Sequence, residues 1–546
     1  MRVLGGGARA EGWPQGTGCG KLAPMVKTPD LEIGDPASGT HASGRTVPEP
    51  GGFFGHPRGL STLFFTEMWE RFSYYGMRAI LLLFMTAAVA EGGLGWDAAK
   101  AGPIYGLYTA MVYLTALPGG WIADRILGQR RSVLIGGIVI ALGHVSLTFH
   151  SLAFFYLGLV LIVTGTGLLK PNISTMVGGL YSPEDVRRDA GFSIFYMGIN
   201  IGAFFAPLVC GFLGQSTQFR GFLASHGFNP ANSWHWGFGA AAVGMTVGLI
   251  QYVLGGRRLG NSGLLPATTG DPASQARDRR NLLISFGIFA VLLLVAVLVR
   301  VSVADVTRYV GYSLLVIPIA YFIFLFSQPW TAQERKHLWA ILLFFLFAAL
   351  FWSAFEQAGS TLNLFAQRFT RNSILGFEYP ASWLQAVNSA FIWMLAPVFA
   401  WIWIALGRRH REPSSPAKFA YGLFFVGAGF LVMVGAALAS GPQGGRVTPL
   451  WLLTVYLLHT VGELCLSPVG LSTMTKLAPA RVVSQMMGIW FLASSLGNFI
   501  GGQVAGVFEK FPLPWIFGSV FGVCMLFTLI AIALIRPIKR LMGEVH

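Results

Sequence analysis

GTGLLKPNISTM at positions 165–176 and GELCLSPVGLSTM at positions 462–474 are the two stretches that decide the fold of this 546-residue sequence. Each has a glycine six residues before a proline, and each then reads Ser-Thr-Met with an offset of one residue. A second pair, FYMGINIGAFF at 195–205 and WFLASSLGNFI at 490–500, aligns without a gap, glycine over glycine. The chain therefore contains an internal repeat, with one copy in each half of the sequence.

Apolar residues dominate the composition. Hydrophobic residues make up 54% of the chain and charged residues only 11%, less than half the charged share of about 25% in a typical soluble protein. Apolar runs recur from Leu60 to Ile535, each near the ~20 residues that span a bilayer as a helix. We therefore predict an all-α polytopic membrane protein. Its fourteen apolar segments are 60–90, 102–123, 132–150, 152–180, 189–213, 234–254, 281–299, 309–327, 337–367, 381–406, 417–439, 450–476, 482–508 and 513–535.

The spacing of the repeats predicts the architecture. The repeated stretches lie eight segments apart, but six apart if segments 281–299 and 309–327 are an inserted two-helix hairpin. Two parallel repeats of six helices are typical of the major facilitator fold, which holds its substrate site at the midplane between the halves. We predict this fold, with fourteen transmembrane helices. The predicted domains are a cytoplasmic N-terminal tail (1–58), two six-helix bundles (59–255 and 336–537), a linker with the hairpin (256–335) and a C-terminal tail (538–546).

The loop GGWIADRILGQRR at 119–131 adds support for this fold. It resembles the G-x-x-x-D-R-x-G-R-R loop of the same superfamily, with one extra residue before Gly128. Two interpretations stay open. Asp124 and the arginines latch neighbouring helices at the cytoplasmic surface, or the loop only carries the positive charge that orients membrane helices.

The net charge of +15 is best explained as a topology signal. With the N-terminus inside, the connections on the cytoplasmic side hold more than twice as many Lys and Arg residues as those on the other side. This asymmetry predicts that both termini are cytoplasmic, and it gives no reason to expect a nucleic-acid partner.

The tail and the cysteines carry little information about function. Residues 1–58 are rich in Gly, Pro and Ser and lack the apolar core of a signal peptide. We predict a disordered extension, or alternatively a plug that enters a cavity open to the cytoplasm. The four cysteines show no paired spacing, so we expect neither a metal site nor a disulfide framework.

The first apolar segment contains an unusual set of charges. In FFTEMWERFSYYGMRAILLLFM (64–85), six polar or charged residues recur at helical spacing on one face. A charge at the bilayer centre costs about 2.5–3.5 kcal/mol on the insertion scale, so this face must line a wet cavity or form ion pairs. A purely structural ion-pair cluster is the alternative. The residues on the face are Glu67, Glu70, Arg71, Tyr74, Tyr75 and Arg78.

Other charges at membrane depth are few. They are Lys170, Glu356 and Glu463. Lys170 and Glu463 lie on segments that are counterparts under the repeat, so they can meet across the pseudo-two-fold axis. When they are paired, an acid and a base on opposite halves close a gate; when they are apart, they hold the two ends of a zwitterion.

Five motifs resemble those of the proton-dependent oligopeptide transporter family. EMWERFSYYG (67–76) resembles that family's E-x-x-E-R-F-x-Y-Y-G motif, and FYMGINIG (195–202) resembles its F-Y-x-x-I-N-x-G signature. GLLKPN, FWSAFEQAGS and GELCLSPVGLS are similar to its patterns in the fourth, seventh and tenth helices. The inserted hairpin is also typical of bacterial members. The resemblance covers about residues 58–540.

The resemblance implies a substrate site for a peptide with free ends. Arg71 and Lys170 would receive the peptide carboxylate, with Tyr75 nearby. Glu463, helped by Asn388, would receive the peptide amino group. The pocket would further be lined by Tyr113, Asn200, Trp352, Trp490 and Ser494.

The resemblance also implies proton coupling and two gates. The proton-coupling groups would be Glu67, Glu70, Arg71 and Glu356. Arg78 would pair with Glu356 in an outer gate, and Lys170 would pair with Glu463 in an inner gate. Some relatives carry a histidine in the second helix, whereas GPIYGLYTAMVYL (102–114) has none, so coupling is expected to depend on the glutamates.

These observations predict a proton-coupled symporter that imports di- and tripeptides by alternating access. We expect no enzymatic activity, no metal and no cofactor, and a monomer in the inner membrane of a bacterium. The alternatives are a carrier of another small anion or metabolite such as nitrate, and a receptor that binds peptide without moving it. The presence of both Lys170 and Glu463 favours a zwitterion over an anion.

Overall fold

The computed structural model describes residues 52–182, 185–264, 272–298, 302–374, 376–441, 444–479, 482 and 485–543. Residues 49–546 form one compact unit. Most of the predicted N-terminal tail, residues 1–51, lies outside the described residues, so its predicted disorder or plug role stays a prediction.

The first half of the described chain is helical. Short 3-10 turns lie at Val89–Glu91, Pro230–Asn232 and Gly256–Leu259, and a π-helical turn lies at Ala123–Leu127. The helices are α1 (Gly59–Thr86), α2 (Ala98–Leu114), α3 (Ala116–Ile122), α4 (Gln129–Ser146), α5 (Leu152–Gly178), α6 (Arg188–Gln215), α7 (Thr217–Ser225) and α8 (Ser233–Leu254).

The rest of the chain supplies a helical hairpin and a second half. The hairpin is α9 (Pro272–Leu298) and α10 (Val303–Ser327). The second half has 3-10 turns at Glu356–Gly359 and Ala381–Gln385. Its helices are α11 (Ala332–Phe355), α12 (Thr361–Phe369), α13 (Ala386–Arg408), α14 (Ser415–Ser440), α15 (Leu450–Leu477), α16 (Met486–Ala505) and α17 (Leu513–Met542).

Every predicted apolar segment overlaps a helix, and the prediction of a helical membrane protein is confirmed. Among the described residues, nine helical stretches are long and apolar enough to cross a membrane, judged by length and composition. The count of fourteen membrane crossings therefore stays a prediction.

Two predicted segments are broken where the sequence explains the break. Segment 102–123 divides at Thr115, because Pro118 has no N–H to donate to the carbonyl one turn earlier. Segment 337–367 divides at the turn Glu356–Gly359, which separates α11 from α12. A short antiparallel hairpin, β1 (Ser373–Ile374) with β2 (Phe377–Glu378), was not predicted.

At both ends of the described chain, helix and tertiary contacts extend beyond the predicted segment bounds. The last helix continues to Met542 instead of ending near 535, because Ile538 and Met542 extend its buried face. Near the start, residues 52–58 were predicted as part of a disordered tail. Instead, His56 Nδ1 lies 2.9 Å from the Tyr181 hydroxyl, within the connection between α5 and α6.

That connection also holds a half-buried ion pair. Arg187 donates to the Gly55 carbonyl at 3.1 Å and to both carboxylate oxygens of Asp185. The side-chain hydrogen bonds from Arg187 lower the pKa of the Asp185 carboxyl to about 2. Asp185 therefore stays negative at neutral pH and holds the arginine against the chain segment that leads into α1.

The repeated glycines occupy equivalent packing positions in the two halves. A Cβ atom on Gly165 of α5 would lie 2.5 Å from the Gly136 carbonyl oxygen of α4. A Cβ atom on its counterpart Gly462 of α15 would lie 2.9 Å from the Gly422 carbonyl oxygen of α14. Each glycine thus lets its helix approach the preceding helix more closely than a side chain would allow.

The second pair of repeated glycines behaves in the same way. A Cβ atom on Gly202 of α6 would collide with the Met68 carbonyl oxygen of α1. A Cβ atom on Gly497 of α16 would lie 2.6 Å from Trp352 Cβ of α11. Because α1 and α11 are the first helices of their halves, the same helix-to-helix contact occurs once in each half. The internal repeat predicted from the sequence therefore corresponds to repeated helix packing.

The hairpin packs against helices from both halves. A Cβ atom on Gly311 of α10 would collide with the Phe499 ring of α16, and Leu314 packs in a cluster with Phe499 and Ala110 of α2. Arg125, in the loop 119–131, pairs with Asp278 of α9 at 3.3 Å. In the same loop Arg130 donates to the Gly260 carbonyl at 3.0 Å. These contacts favour the latch interpretation of the loop.

A backbone contact that we call the glycine seam joins the two halves directly. It consists of Gly102 and Gly106 on α2 and Gly502 and Gly506 on α16. A Cβ atom on Gly106 would lie 2.6 Å from Gly502 Cα, and one on Gly102 would lie 2.5 Å from the Gly506 nitrogen. Such small-xxx-small pairs let helix backbones touch in a membrane.

The seam leads to a structural prediction. Gly106→Val is expected to force α2 away from α16, because the valine side chain has no room beside Gly502. Spin labels placed at Gln215 and Gln367, whose side chains hydrogen-bond across the halves at 3.1 Å, would report the separation as a longer interlabel distance. Gly522→Val is the matched control, since a Cβ atom there meets nothing within 4 Å. An unchanged distance in Gly106→Val would contradict the prediction.

Candidate functional site

The polar face of α1 carries a buried ion cluster. Arg71 Nε lies 3.1 Å from Glu67 Oε1 and donates to Glu70 Oε2 at 2.5 Å. The side chains are almost completely inaccessible, with exposed fractions of 3% for Glu67, 0% for Glu70 and 2% for Arg71. One oxygen of each glutamate has no hydrogen-bond partner among the described residues. Two acids therefore share one arginine. Each acid keeps one free carboxylate oxygen, which can be protonated or can accept a hydrogen bond.

A second ion pair connects the halves. Arg78 of α1 pairs with Glu356, which opens the 3-10 turn between α11 and α12. Arg78 Nε also donates to the Tyr105 hydroxyl at 2.8 Å. Both members of the pair are buried. The structure thus makes the Arg78–Glu356 contact that the family resemblance implies, and its role as a gate stays a prediction.

Further contacts surround this pair. The Ala79 carbonyl of α1 accepts from Asn363 Nδ2 at 2.9 Å and from Gln385 Nε2 at 3.2 Å. Trp383 Nε1 donates to the Leu208 carbonyl of α6 at 2.9 Å. Together with the pair and the glycine seam, these bonds hold the halves together at the end of the molecule where α1 ends and α2 begins. We call it the closed end.

Breaking the Arg78–Glu356 pair is expected to reduce stability. Arg78→Ala leaves Glu356 as a buried charge without its partner, which costs about 3–5 kcal/mol in comparable sites. We therefore expect a lower thermal midpoint for Arg78→Ala, and a partial recovery when Glu356→Ala is added, because the second change removes the unpaired charge. Thermal unfolding of the two single variants and the double variant would measure the coupling. Strictly additive losses would show that the two side chains do not interact.

A cavity of about 230 Å³ lies between the halves beside Arg78 and Glu356. It is lined by residues of α1, α2 and α6 from the first half and of α11, α13, α15 and α16 from the second. Eight of the ten predicted substrate residues line it: Tyr75, Tyr113, Asn200, Trp352, Asn388, Glu463, Trp490 and Ser494. The remaining two, Arg71 and Lys170, are not among the lining residues.

The acid in the second half is held by an amide. Asn388 Nδ2 of α13 donates to Glu463 Oε2 of α15 at 3.2 Å, and it also donates to the Thr460 hydroxyl at 2.9 Å. Among the salt bridges of the described residues, none involves Glu463. Glu463 therefore faces the cavity as a half-buried carboxyl group that pairs with no arginine or lysine in the described part of the chain.

Lys170 does not pair with Glu463 in this structure. The Lys170 ammonium nitrogen lies 3.8 Å from the centre of the Tyr113 ring and 5.6 Å from that of Phe491. Both rings line the cavity, so the ammonium group is held by cation–π contacts at its edge. The implied inner-gate pair is therefore not formed here, because each member has another partner, and its gating role stays a prediction.

The structure adds cavity residues beyond the predicted substrate set. Tyr456 and His459 lie on the same face of α15 as Glu463, at helical spacing, and extending that face would have found them. His459 lines the cavity and packs near Phe355 and Phe430. The same rule, applied from Asn200, Asn388 and Glu463, reaches Tyr196, Ala203, Pro207, Ile392 and Ser467. The other lining residues that were not predicted are Ile199, Phe355, Ala358, Gln385, Ser389 and Phe491.

The remaining chemistry of the described residues is sparse. The cysteines at 210, 465 and 524 are free and buried. Within the described ranges, no group of three or more His, Cys, Asp or Glu side chains is placed to hold a metal ion. Among the residues discussed above, the charged groups at membrane depth lie along α1, at Glu356, and at Lys170 and Glu463.

Comparison with known proteins places this arrangement in a family. Residues 130–520 match the sequence family described as PTR2, POT family. The chain belongs to the POT family. A peptide transporter of Yersinia enterocolitica, YePEPT, is 44% identical over 516 residues, which is 91% of this chain and 97% of that protein. A di-/tripeptide transporter of Lactococcus lactis is 40% identical over 517 residues, 90% of this chain and 98% of that protein.

Solved structures of POT-family proteins share the fold. A crystal structure of a mutant of peptide transporter POT in complex with alafosfalin is 42% identical in sequence and superposes with a TM-score of 0.82. The match covers 91% of this chain and 98% of that one. This protein is thus a multi-pass membrane transporter with the major facilitator fold, as predicted.

Proposed function

We propose that this POT-family chain is a proton-coupled symporter that imports di- and tripeptides by alternating access. The observation that carries the proposal is the cavity. On one half Glu463 lines it and makes no salt bridge among the described residues; on the other half Lys170 lies against the lining residue Tyr113, and Arg71 is one helical turn before the lining residue Tyr75. The named activities of the Yersinia and Lactococcus relatives support it.

The two ends of a peptide match the two sides of this cavity. A free amino terminus is a donor and a positive charge, and Glu463 with Asn388 offers it a carboxylate and an amide. A free carboxyl terminus would form an ion pair with Lys170, which would then leave the ring of Tyr113. It would form a second ion pair with Arg71, whose side chain would reach the cavity beside Tyr75. Aromatic walls accept varied side chains through apolar contact, so the bound backbone ends would fix the orientation.

Proton coupling would arise from the shared arginine. As long as both Glu67 and Glu70 are ionised, Arg71 is held by two carboxylates. Protonation of either acid removes one of these partners and makes the guanidinium available to a peptide carboxylate. Proton and peptide binding are then thermodynamically linked, because each favours the same state of Arg71.

Sidedness follows from the charge distribution. The excess of Lys and Arg predicts that the closed end faces the outside and that both termini are cytoplasmic. We propose that the structure represents the inward-open state, with the Arg78–Glu356 pair made and the Lys170–Glu463 pair apart. We further propose a monomer in a bacterial inner membrane, driven by the proton gradient without a cofactor.

The rival proposals make different demands on Glu463. A carrier of nitrate or a similar anion would place its substrate beside the half-buried Glu463 carboxylate, which repels it. A receptor would bind peptide and release it on the same side. The family is one of transporters, so neither an enzyme nor a receptor is favoured.

Uptake of labelled dialanine into proteoliposomes tests the proposal. An inside-alkaline pH gradient with a negative interior potential should drive accumulation above the external concentration, and a protonophore should abolish it. Vesicles that bind dialanine without accumulating it would reject the symporter. Accumulation that persists with the protonophore would reject proton coupling.

A further inference from the structure

Three buried tyrosines lie beside the two charged clusters of α1. Tyr74 is on α1, and Tyr105 and Tyr108 are on α2, with exposed fractions of 1%, 2% and 4%. Tyr105 receives the hydrogen bond from Arg78, but the hydroxyls of Tyr74 and Tyr108 have no partner among the described residues. A buried hydroxyl left without a partner costs about 1–3 kcal/mol, so a site that keeps two of them calls for an explanation.

Helix geometry places these hydroxyls between the clusters. Because α1 and α2 are consecutive helices in contact at Arg78 and Tyr105, they run in opposite directions. Tyr108 is three residues after Tyr105, about 4.5 Å further along α2. Tyr74 is four residues before Arg78, about 6 Å back along α1. Because the helices are antiparallel, these two steps go the same way, and Tyr108 lies at nearly the same height as Tyr74. Glu70 follows on α1 about one turn further on.

The electrostatic environment agrees with this placement. The Tyr108 hydroxyl has no direct partner among the described residues, but it is near enough to Tyr74, Tyr105, Glu70 and Arg78 for their charges to act on it. Tyr74 interacts with Arg78 and with Glu356. The two hydroxyls are thus within electrostatic range of the gate pair at one end and of the α1 cluster at the other.

We propose that Tyr74 and Tyr108 relay a proton between Glu356 and Glu70. This inference rests on the proposed function. Glu356 in its protonated form loses a proton, and the Glu70 carboxylate gains one. Each phenol passes its own proton onward and takes one from its neighbour, so neither tyrosine changes charge. Gaps longer than a direct hydrogen bond are crossed through a bridging water.

The transfer would change the Arg78–Glu356 pair and the Arg71–Glu70 pair at the same time. Glu356 is left negative and can pair with Arg78, which closes the outer side. Glu70 becomes neutral, so Arg71 keeps only its bond to Glu67 and is freed toward the substrate. One proton movement therefore links closure of the gate to exposure of the peptide carboxylate site.

Neither relay hydroxyl belongs to the peptide cavity. Tyr75 and Tyr113 line it, whereas Tyr74 and Tyr108 do not. Removing the Tyr108 hydroxyl should consequently leave peptide contacts intact, which makes its effect on proton movement separable from any effect on binding.

Tyr108→Phe is the decisive variant. In proteoliposomes, we expect its initial rate of gradient-driven dialanine uptake to fall by about tenfold or more, since a positioned proton donor contributes at least that much to proton transfer. Counterflow exchange at equal pH needs no net proton movement, so it should match the parent rate. Tyr108→His should recover much of the driven rate, because an imidazole also accepts and donates protons.

Tyr252→Phe is the matched control. This buried tyrosine of α8 donates its hydroxyl to the Arg130 carbonyl at 3.0 Å, far along the chain from both clusters. Both of its rates should equal those of the parent. If Tyr108→Phe does not fold, driven uptake and counterflow can be compared in Tyr74→Phe and in Tyr108→His instead.

The outcomes separate the relay from the transport proposal. A parent that shows no driven uptake rejects the proposed function and the relay with it. An active parent with an equally active Tyr108→Phe rejects the relay alone. Equal losses of driven uptake and counterflow in Tyr108→Phe, without recovery in Tyr108→His, would assign Tyr108 a structural role and also reject the relay.

Discussion

Glu70→Gln is expected to lower gradient-driven peptide accumulation by about two orders of magnitude or more while leaving counterflow exchange. Glutamine preserves the shape of the side chain but cannot take up or release a proton. Arg71 then keeps one titratable partner, Glu67, and the link between protonation and arginine release is weakened or lost. Parallel measurement of driven uptake and of counterflow in the same vesicles would show the separation.

The companion variant and the control sharpen this test. Glu67→Gln should behave in the same way, because Glu67 contacts the same guanidinium at 3.1 Å. Glu91→Gln, at an exposed position in the connection between α1 and α2, makes the same chemical change and should leave both rates unchanged. Accumulation that survived in Glu67→Gln and in Glu70→Gln would remove the coupling assignment from this cluster.

Glu463→Gln is expected to abolish the preference for a free amino terminus. A hydrogen bond to a charged group contributes about 1.5–3 kcal/mol, which corresponds to about 10- to 150-fold in affinity. Dialanine should lose that much in the variant, while N-acetylated dialanine, which carries no ammonium group, should change little. Competition of both compounds against a labelled peptide would measure the two affinities side by side.

A second glutamate supplies the control for this change. Glu509, which pairs with Arg368 at 2.6 Å at the closed end, lies outside the cavity, so Glu509→Gln should leave the ratio of the two affinities as it is in the parent. If Glu463→Gln weakened dialanine and its acetylated form to the same degree, the amino-group role would have to be abandoned.

The sequence was sufficient for the fold because its signals are physical and local. Charges are rare at membrane depth, so the helical spacing of Glu67, Glu70 and Arg71 is enough to mark them as a functional or structural cluster. The glycines at 202 and 497 recur because close helix packing excludes every side chain, and both halves of the molecule contain that packing.

What the sequence could not supply depends on distances between segments. Whether Lys170 pairs with Glu463 depends on the distance between the two halves. The sequence pattern is the same whether the pair is formed or broken, so it cannot predict which state the structure shows. The cavity position of Gln385 follows from the packing of the turn before α13 against α6, which no helical periodicity encodes. The break at Glu356 likewise reflects a tertiary contact with Arg78 as much as local propensity.

The glycine seam has a consequence for the energetics of the cycle. Side chains that lock together at an interface lose rotamer freedom, at up to about 2 kcal/mol for each long one, and a glycine has none to lose. Contact between Gly106 and Gly502 can therefore form and break with almost no side-chain ordering. A carrier has to visit two conformations of nearly equal free energy, and an interface of bare backbone keeps that balance while still excluding water.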